Sequence, residues 1–240
     1  MAIGDIIVGI DIGTSKVCTV VGEVNSFNQV EIVATAEATS NGIKKGKIVD
    51  PDSIVTSIKQ TIEEAECEVD IRINSAYINI SGQYLTIVQN SVLLDAKDKY
   101  AGISTRDVHS AISSVRDIEI PEDKVLIDLV PDKFILDNGN IVEDPIGNLN
   151  ASFTLKAQVI LADKSYIKEI SNIVKKAGLE IDGIVSNTLA LRSLILDMNE
   201  LTDNIMILDI GAGNTDIGVF EGSSYIYTTT INLRRRHNYV

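Results

Sequence analysis

Apolar residues run almost unbroken through IIVGIDI (Ile6 to Ile12), the pattern of a central strand covered on both faces. KVCTVVGEV and QVEIVATAEAT follow after short polar breaks, which predicts a three-strand meander. The period then becomes helical. Asp50 precedes Pro51, and Ile54, Ile58, Ile62 and Ala65 share one face, so a capped helix with proline at its first position is expected. AYINISG returns to a strand. SYIKEISNIVKKAG places Ile167, Ile170 and Val174 on one helical face and stops at Gly178. IDGIVS then predicts a strand and NTLALRSLIL a helix. After Asn204 the opening order begins again with IMILDIG, TDIGVFEG and SYIYTTTINL. Two copies of one lobe are implied, the second cut short.

The middle of the chain interrupts the first lobe with a pattern of its own. YLTIVQNSVLL, KVLIDLVPDKFIL and ASFTLKAQVILAD are strand-like, and STRDVHSAISSV is a helix opened by a capping box of Ser104 and Asp107. DNGNIVEDPIGNLN is rich in turn residues and is expected to be a surface loop. The expected divisions are 1–82 with 163–202 for the first lobe, 83–162 for the insertion, 203–233 for the second lobe and 234–240 for a tail.

Composition narrows the function classes. A chain of 240 residues, 45% hydrophobic, can bury a core. With 34 acidic against 21 basic residues its net charge is −13, which disfavours nucleic acid as the main partner. Cys18 and Cys67 are far apart and are expected to be reduced, cytosolic thiols. The start MAIGDIIVGIDIG lacks the basic residues of a signal peptide, and no stretch approaches the roughly 20 apolar residues a spanning helix needs, so a cytoplasmic location is expected.

Asp11 and Asp209 end apolar strands, where a carboxylate needs a chemical reason. Each is followed by a glycine turn and a second strand, with no helix behind the glycines. The turn must therefore present its own amides to an anion. DIGTSK offers Gly13, Thr14 and Ser15, two hydroxyls and Lys16; DIGAGNTD offers Gly211, Ala212, Gly213, Asn214 and the Thr215 hydroxyl. Glycine is expected there for positive φ angles and for close approach. Asp11 and Asp209 suit a Mg²⁺ ion that keeps its waters and bridges phosphates. Facing each other across a cleft, the two turns would clamp a nucleotide triphosphate. Asp216, within the second turn, either serves that site or holds the turn by hydrogen bonds.

These hairpins and this lobe order resemble the actin, Hsp70 and sugar-kinase superfamily. Within it VGIDIGTSKV, NGIKKGKIVDPDSIVTSIKQTIEEAE, INISGQY, STRDVHSAI, KAGLEIDGIVSNTLALRSLI and LDIGAGNTDIGVF are similar to the FtsA family of bacterial cell-division proteins, through about Leu233. The resemblance implies an α/β fold: an actin-like (ribonuclease H-like) lobe with a mixed sheet, an inserted 1C subdomain of SHS2 type, and the first three strands of a second actin-like lobe. It further implies ATP with Mg²⁺, self-association into filaments, and an adaptor that ties the FtsZ ring and other division proteins to the cytoplasmic face of the membrane at the septum, with at most slow ATP turnover. Carried over by motif, Asp11, Gly13, Thr14, Ser15 and Lys16 form one phosphate motif and Asp209, Gly211, Gly213, Asn214 and Thr215 the other. Asn187 falls where actin orients the attacking water, and it also suits a helix cap.

The residues NLRRRHNYV depart from the family pattern, which continues into an adenosine site, an FtsZ-contacting region and a membrane helix. Removal of one base from a codon run for Leu-Arg-Arg-Arg restores the family's Leu-Gly-Gly-Asp, so a frameshift after Leu233 is expected. The other readings of Arg234 to Arg236 are a solvated basic tail or lipid headgroup contact. For the chain as written, exposed strand faces, aggregation and ATP binding too weak for calorimetry are expected. Two rivals are a pilus-assembly relative and a sugar-kinase-type phosphotransferase. GIKKGKIVD and ISGQY argue against the first, and the second lacks a convincing catalytic aspartate. His109 is expected on a helix surface or in packing, and Glu63, Glu64 and Glu66 as solvated charge.

Overall fold

The computed structural model describes residues 2–98, 100–199, 204–222 and 224–233. The tail from Arg234, His237 and the division near 203 fall outside them. Strands β1 (Ile6–Ile12), β2 (Lys16–Val24) and β3 (Val30–Thr39) form the expected antiparallel meander. Two short strands, β4 (Ile43–Lys44) and β5 (Lys47–Ile48), make a hairpin whose turn residues Lys45 and Gly46 both have positive φ. That geometry gives a twist-matched tight turn, which glycine permits at its second position.

Helix α1 (Pro51–Val69) starts where Asp50 accepts a hydrogen bond from Ser53 N–H. It buries Ile54, Ile58, Ile62 and Ala65, and ends at Asp70 in the left-handed conformation. Each fully buried isoleucine contributes roughly 1.5–3 kcal/mol. Its charged face is not purely solvated: Glu66 accepts from the Ile73 amide at 2.6 Å and so ties the helix end to the next strand, β6 (Ser75–Ile80).

The remaining elements are a 3-10 turn (Gly82–Tyr84), β7 (Leu85–Asp95), α2 (Thr105–Val115), β8 (Lys124–Leu136), β9 (Ile141–Val142), β10 (Ser152–Asp163), α3 (Lys164–Ala177), β11 (Glu180–Ser186), α4 (Asn187–Asn199), β12 (Ile205–Ile210), β13 (Thr215–Glu221) and β14 (Ser224–Ile231). They form three principal sheets. The first has order β11-β6-β1-β2-β3, with β1 in the middle and parallel to β6, which is parallel to β11. The second, β7-β10-β8-β9, is covered by α2, whose capping box between Ser104 and Asp107 is formed as expected. The third is β12-β13-β14.

The first core joins the meander to α1 and α3; the second lies inside the insertion. A third is shared between the insertion's base, α4 and the last sheet, where Phe220 stacks on Tyr225 at 4.6 Å and both are fully buried. Met206, Leu208 and Ile210 are exposed on the opposite face of β12, as expected for strands with one uncovered side. The last sheet presses closely on its neighbours. A β-carbon on Gly82 would come within 2.5 Å of Thr228 Oγ1, and one on Gly218 within 2.6 Å of Thr188. Among the described residues no helix is long and apolar enough to cross a membrane. Both cysteines are free, Cys18 half-buried and Cys67 exposed, and His109 is on the surface.

Candidate functional site

The carboxyl ends of three neighbouring strands deliver Asp11 from β1, Asn79 and Ser81 from β6, and Asn187 just after β11 to one place. That edge is where open α/β sheets bind ligands. The turn after β12 meets them there. A cavity of about 210 Å³ is lined by Asp11, Gly13, Thr14, Ser15 and Lys16 from one side and by Asp209, Gly211, Ala212, Asn214 and Asp216 from the other; Asn187, Tyr166 and Gly46 complete its wall.

The two turns are built alike. Gly13 N–H donates to Lys16 O at 3.0 Å, and Gly211 N–H donates to Asn214 O at 3.0 Å, each closing a hairpin around two residues. The amides of those residues, Thr14 and Ser15 or Ala212 and Gly213, have no backbone acceptor among the described residues. The tips touch: a β-carbon on Gly213 would lie 2.5 Å from Thr14 Oγ1. The glycines serve close approach alone. None of Gly13, Gly211 and Gly213 has a positive φ, contrary to the conformational role expected for them. At Gly13 and Gly211 an added β-carbon would meet the carbonyl of Lys16 or Asn214 at 2.9 or 3.0 Å.

Asp11 Oδ1 accepts from Asn79 Nδ2 at 2.6 Å, and Asn79 Oδ1 accepts from Ile12 N–H at 2.8 Å. Burial within the cleft raises the Asp11 carboxyl above its ordinary range and the charge of Asp209 raises it further, while Lys16 opposes both. Burial likewise raises Asp209, followed by the charge of Asp216. Lys16 is not directed solely at the cavity, because its ammonium is bonded to Glu37.

Asp216 does not hold the second turn. It is buried and accepts from Ser81 Oγ at 2.7 Å, from Asn187 Nδ2 at 2.8 Å and from the Thr230 hydroxyl. Its role is to join three elements across the base of the cleft. Asn187 is the first residue of α4, and its side-chain amide is spent on Asp216. Thr215 is turned away from the cavity: its buried hydroxyl donates to Leu233 O at 2.7 Å. The remaining predicted residues converge.

Sequence reading missed Asn79, Ser81, Gly46 and Tyr166. Asn79 and Ser81 are polar residues at a strand's carboxyl end, alternating with buried Ala76, Ile78 and Ile80, and that alternation was a usable signal. Tyr166 stacks on Tyr84 at 3.7 Å, and burial pushes its phenol upward; neither feature leaves a mark in sequence spacing.

The donor set fits a phosphate-borne cation. Two neighbouring carboxylates with raised proton affinity are relieved by a divalent ion, and free turn amides suit phosphate oxygens. Among the described residues no group of three or more His, Cys, Asp or Glu side chains could hold a metal on its own. An ion here would need further ligands from water and phosphate.

A doubled strand-turn-strand unit closing on one cleft, with a subdomain inserted after β6, defines an actin-like ATPase fold. Among solved structures the PilM-PilN type IV pilus biogenesis complex matches it with a TM-score of 0.60 over 95% of this chain and 62% of that chain, at 18% identity. Residues 82–161 match the SHS2 domain inserted in FtsA. Cell division protein FtsA of Pseudomonas aeruginosa is 31% identical over 230 residues, covering 96% of this chain and 55% of that protein. The FtsA of Borreliella burgdorferi is 30% identical over 229 residues, covering 95% and 55%. The chain spans about half the length of the curated relatives it matches. Over almost all of its length the chain is similar to FtsA, and its insertion matches the SHS2 domain of that family.

Proposed function

We propose that this chain forms the phosphate-gripping part of an actin-like cell-division protein that binds ATP with Mg²⁺. The contact between the turn tips, with Asp11 and Asp209 on one cleft, carries the reading. The amides of Thr14 and Ser15 and of Ala212 and Gly213 hold the phosphates, with Lys16 adding a charge once it leaves Glu37. Asp11 and Asp209 hold the hydrated ion, which when bound neutralises phosphate charge. Asn187 lies on the wall where a water beside the terminal phosphate would be oriented, and turnover is at most slow. The assembled protein would polymerise and link an FtsZ ring, with other division proteins, to the cytoplasmic face of the membrane at the septum. These last roles are those the resemblance to FtsA implies, and the cleft supports them only through the nucleotide.

The test is ³¹P NMR of millimolar ATP with the full 240-residue chain. Mg²⁺-dependent broadening of the β- and γ-phosphate signals by the wild type, lost in the Asp11→Asn/Asp209→Asn double variant, is expected. Equal broadening by both proteins, or none by the wild type, would overturn the reading.

A further inference from the structure

We infer that Asn79 is a positioning residue for the ion-binding carboxylate: its side chain clamps Asp11 and Ile12 together and fixes which carboxylate oxygen is free for a cation. This rests on the nucleotide reading above and adds to it a residue that neither glycine turn contains.

The geometry leaves little choice of residue. Asn79 lies at the end of β6, beside the end of β1, where Ile10 pairs with Ile78. Its amide orientation is determined by its two partners, since the Ile12 N–H needs an acceptor and the Asp11 carboxylate needs a donor. Here a side chain, rather than the main chain of β6, meets the Ile12 amide. A shorter serine cannot span both partners. An aspartate would face Asp11 with a second carboxylate, and an apolar residue would leave a strand amide unpaired.

The clamp also sets direction. Asp11 Oδ1 is engaged by Asn79, whereas Oδ2 has no partner among the described residues. Asp11 and Asp209 line the same cavity, so a cation held there would meet both carboxylates. An ion that keeps most of its waters depends on the orientation of the few protein oxygens it meets. Partners that orient such ligands change metal affinity by roughly 10–100-fold when removed.

The experiment measures ATP binding by ³¹P NMR for the full chain across a Mg²⁺ titration, with a parallel Mg²⁺-free arm. In Asn79→Ala the Mg²⁺ concentration giving half of the metal-dependent effect should rise about 10–100-fold. The weak Mg²⁺-free binding should stay at the wild-type level. Asn79→Ser, a milder change, should fall between the two. A natively folded variant, judged by circular dichroism and a cooperative melt, with an unchanged Mg²⁺ midpoint overturns the inference. So does an equal loss in both arms, which marks a structural role only. In the wild type itself, the Asn79 side-chain NH₂ signals should exchange slowly and shift with Mg²⁺ and ATP together but not with ATP alone; signals that do not move overturn the inference even if both variants unfold. A wild type without Mg²⁺-dependent binding defeats the nucleotide reading and this inference with it, whereas Mg²⁺-dependent binding by the wild type with none of the expected changes in the Asn79 measurements defeats this one alone.

Discussion

The hairpin turn after β1 is closed by Gly13 and Lys16, and the turn after β12 by Gly211 and Asn214. Across each hairpin the strand-ending aspartate faces a partner on the return strand, Cys18 opposite Asp11 and Asp216 opposite Asp209. The backbones repeat, yet the side chains do different work. The first turn carries hydroxyls and an ammonium at its tip, and its aspartate is clamped from its own sheet by Asn79. The second has only Ala212 and Gly213 at its tip, bare enough to lie against Thr14. It carries a buried carboxylate at the position where the first has a half-buried thiol. Both turns line the cavity, but the first adds polar side chains there, while the second adds a buried carboxylate that fastens the second sheet to the first.

The largest expected effect tests that fastening. Asp216→Ala strands the Asn187 amide and at least one of the Ser81 and Thr230 hydroxyls, which lie 3.2 Å apart, each worth about 1–3 kcal/mol when left unpaired. A loss of about 3 kcal/mol or more in urea unfolding is expected, against less than about 1 kcal/mol for Cys18→Ala at the equivalent position. Similar losses would abolish the distinction. The tip contact comes next. Gly213→Ala drives a methyl group to within 2.5 Å of Thr14 Oγ1 and should cost about 1–3 kcal/mol. Thr14→Gly should recover much of that loss in the double variant, giving a coupling above about 0.5 kcal/mol, and simple additivity would show that the tips do not meet.

Much of this was legible in the sequence because it is local. The β-branched runs around both glycine turns, the Asp50 and Ser104 caps and the Gly178 stop each follow from residues a few positions apart. So did the repeat, since its copies share one strand order. What escaped depends on which strands lie side by side. Nothing in the spacing of AYINISG says that β6 neighbours β1, and without that neighbour Asn79 is only a polar residue in a strand. Asp216 was left undecided between two roles because its three donors come from positions 81, 187 and 230. Of the two grounds expected for glycine at 13, 211 and 213, close approach is seen and handedness is not, since crowding by a carbonyl or by Thr14 excludes a side chain there.

A smaller effect concerns the charge the two turns share. Asp11 and Asp209 both bind protons more readily when folded than the ordinary aspartate value of 3.8 implies. The folded chain therefore holds more protons than the unfolded one above that value, and ligand-free stability falls as pH rises through the folded pKa values. The penalty is complete once the pH lies above both folded pKa values. Asp11→Asn or Asp209→Asn should stabilise the ligand-free chain at pH 7, by less than about 1 kcal/mol because both groups retain contact with water. The gain should vanish as the pH falls below about 3.8. Urea titrations at several pH values check this, and a gain independent of pH would remove the electrostatic cause.

The smallest effect on stability, and the sharpest on the division of roles, belongs to Lys16. Its ammonium pairs with Glu37, but the two side chains are 52% and 55% exposed, and an exposed pair adds little to stability. Lys16→Asn, which gives the first turn the closing residue of the second, should leave the ligand-free melting temperature unchanged within error. Its consequence should appear only with ligand, as weaker ³¹P broadening of ATP at low salt. Glu37 competes with phosphate for the same ammonium, so Glu37→Gln should strengthen that broadening while also leaving the melt unchanged. If Lys16→Asn lowered the melting temperature as much as Gly213→Ala, the first turn would be as structural as the second, and the contrast between them would fail.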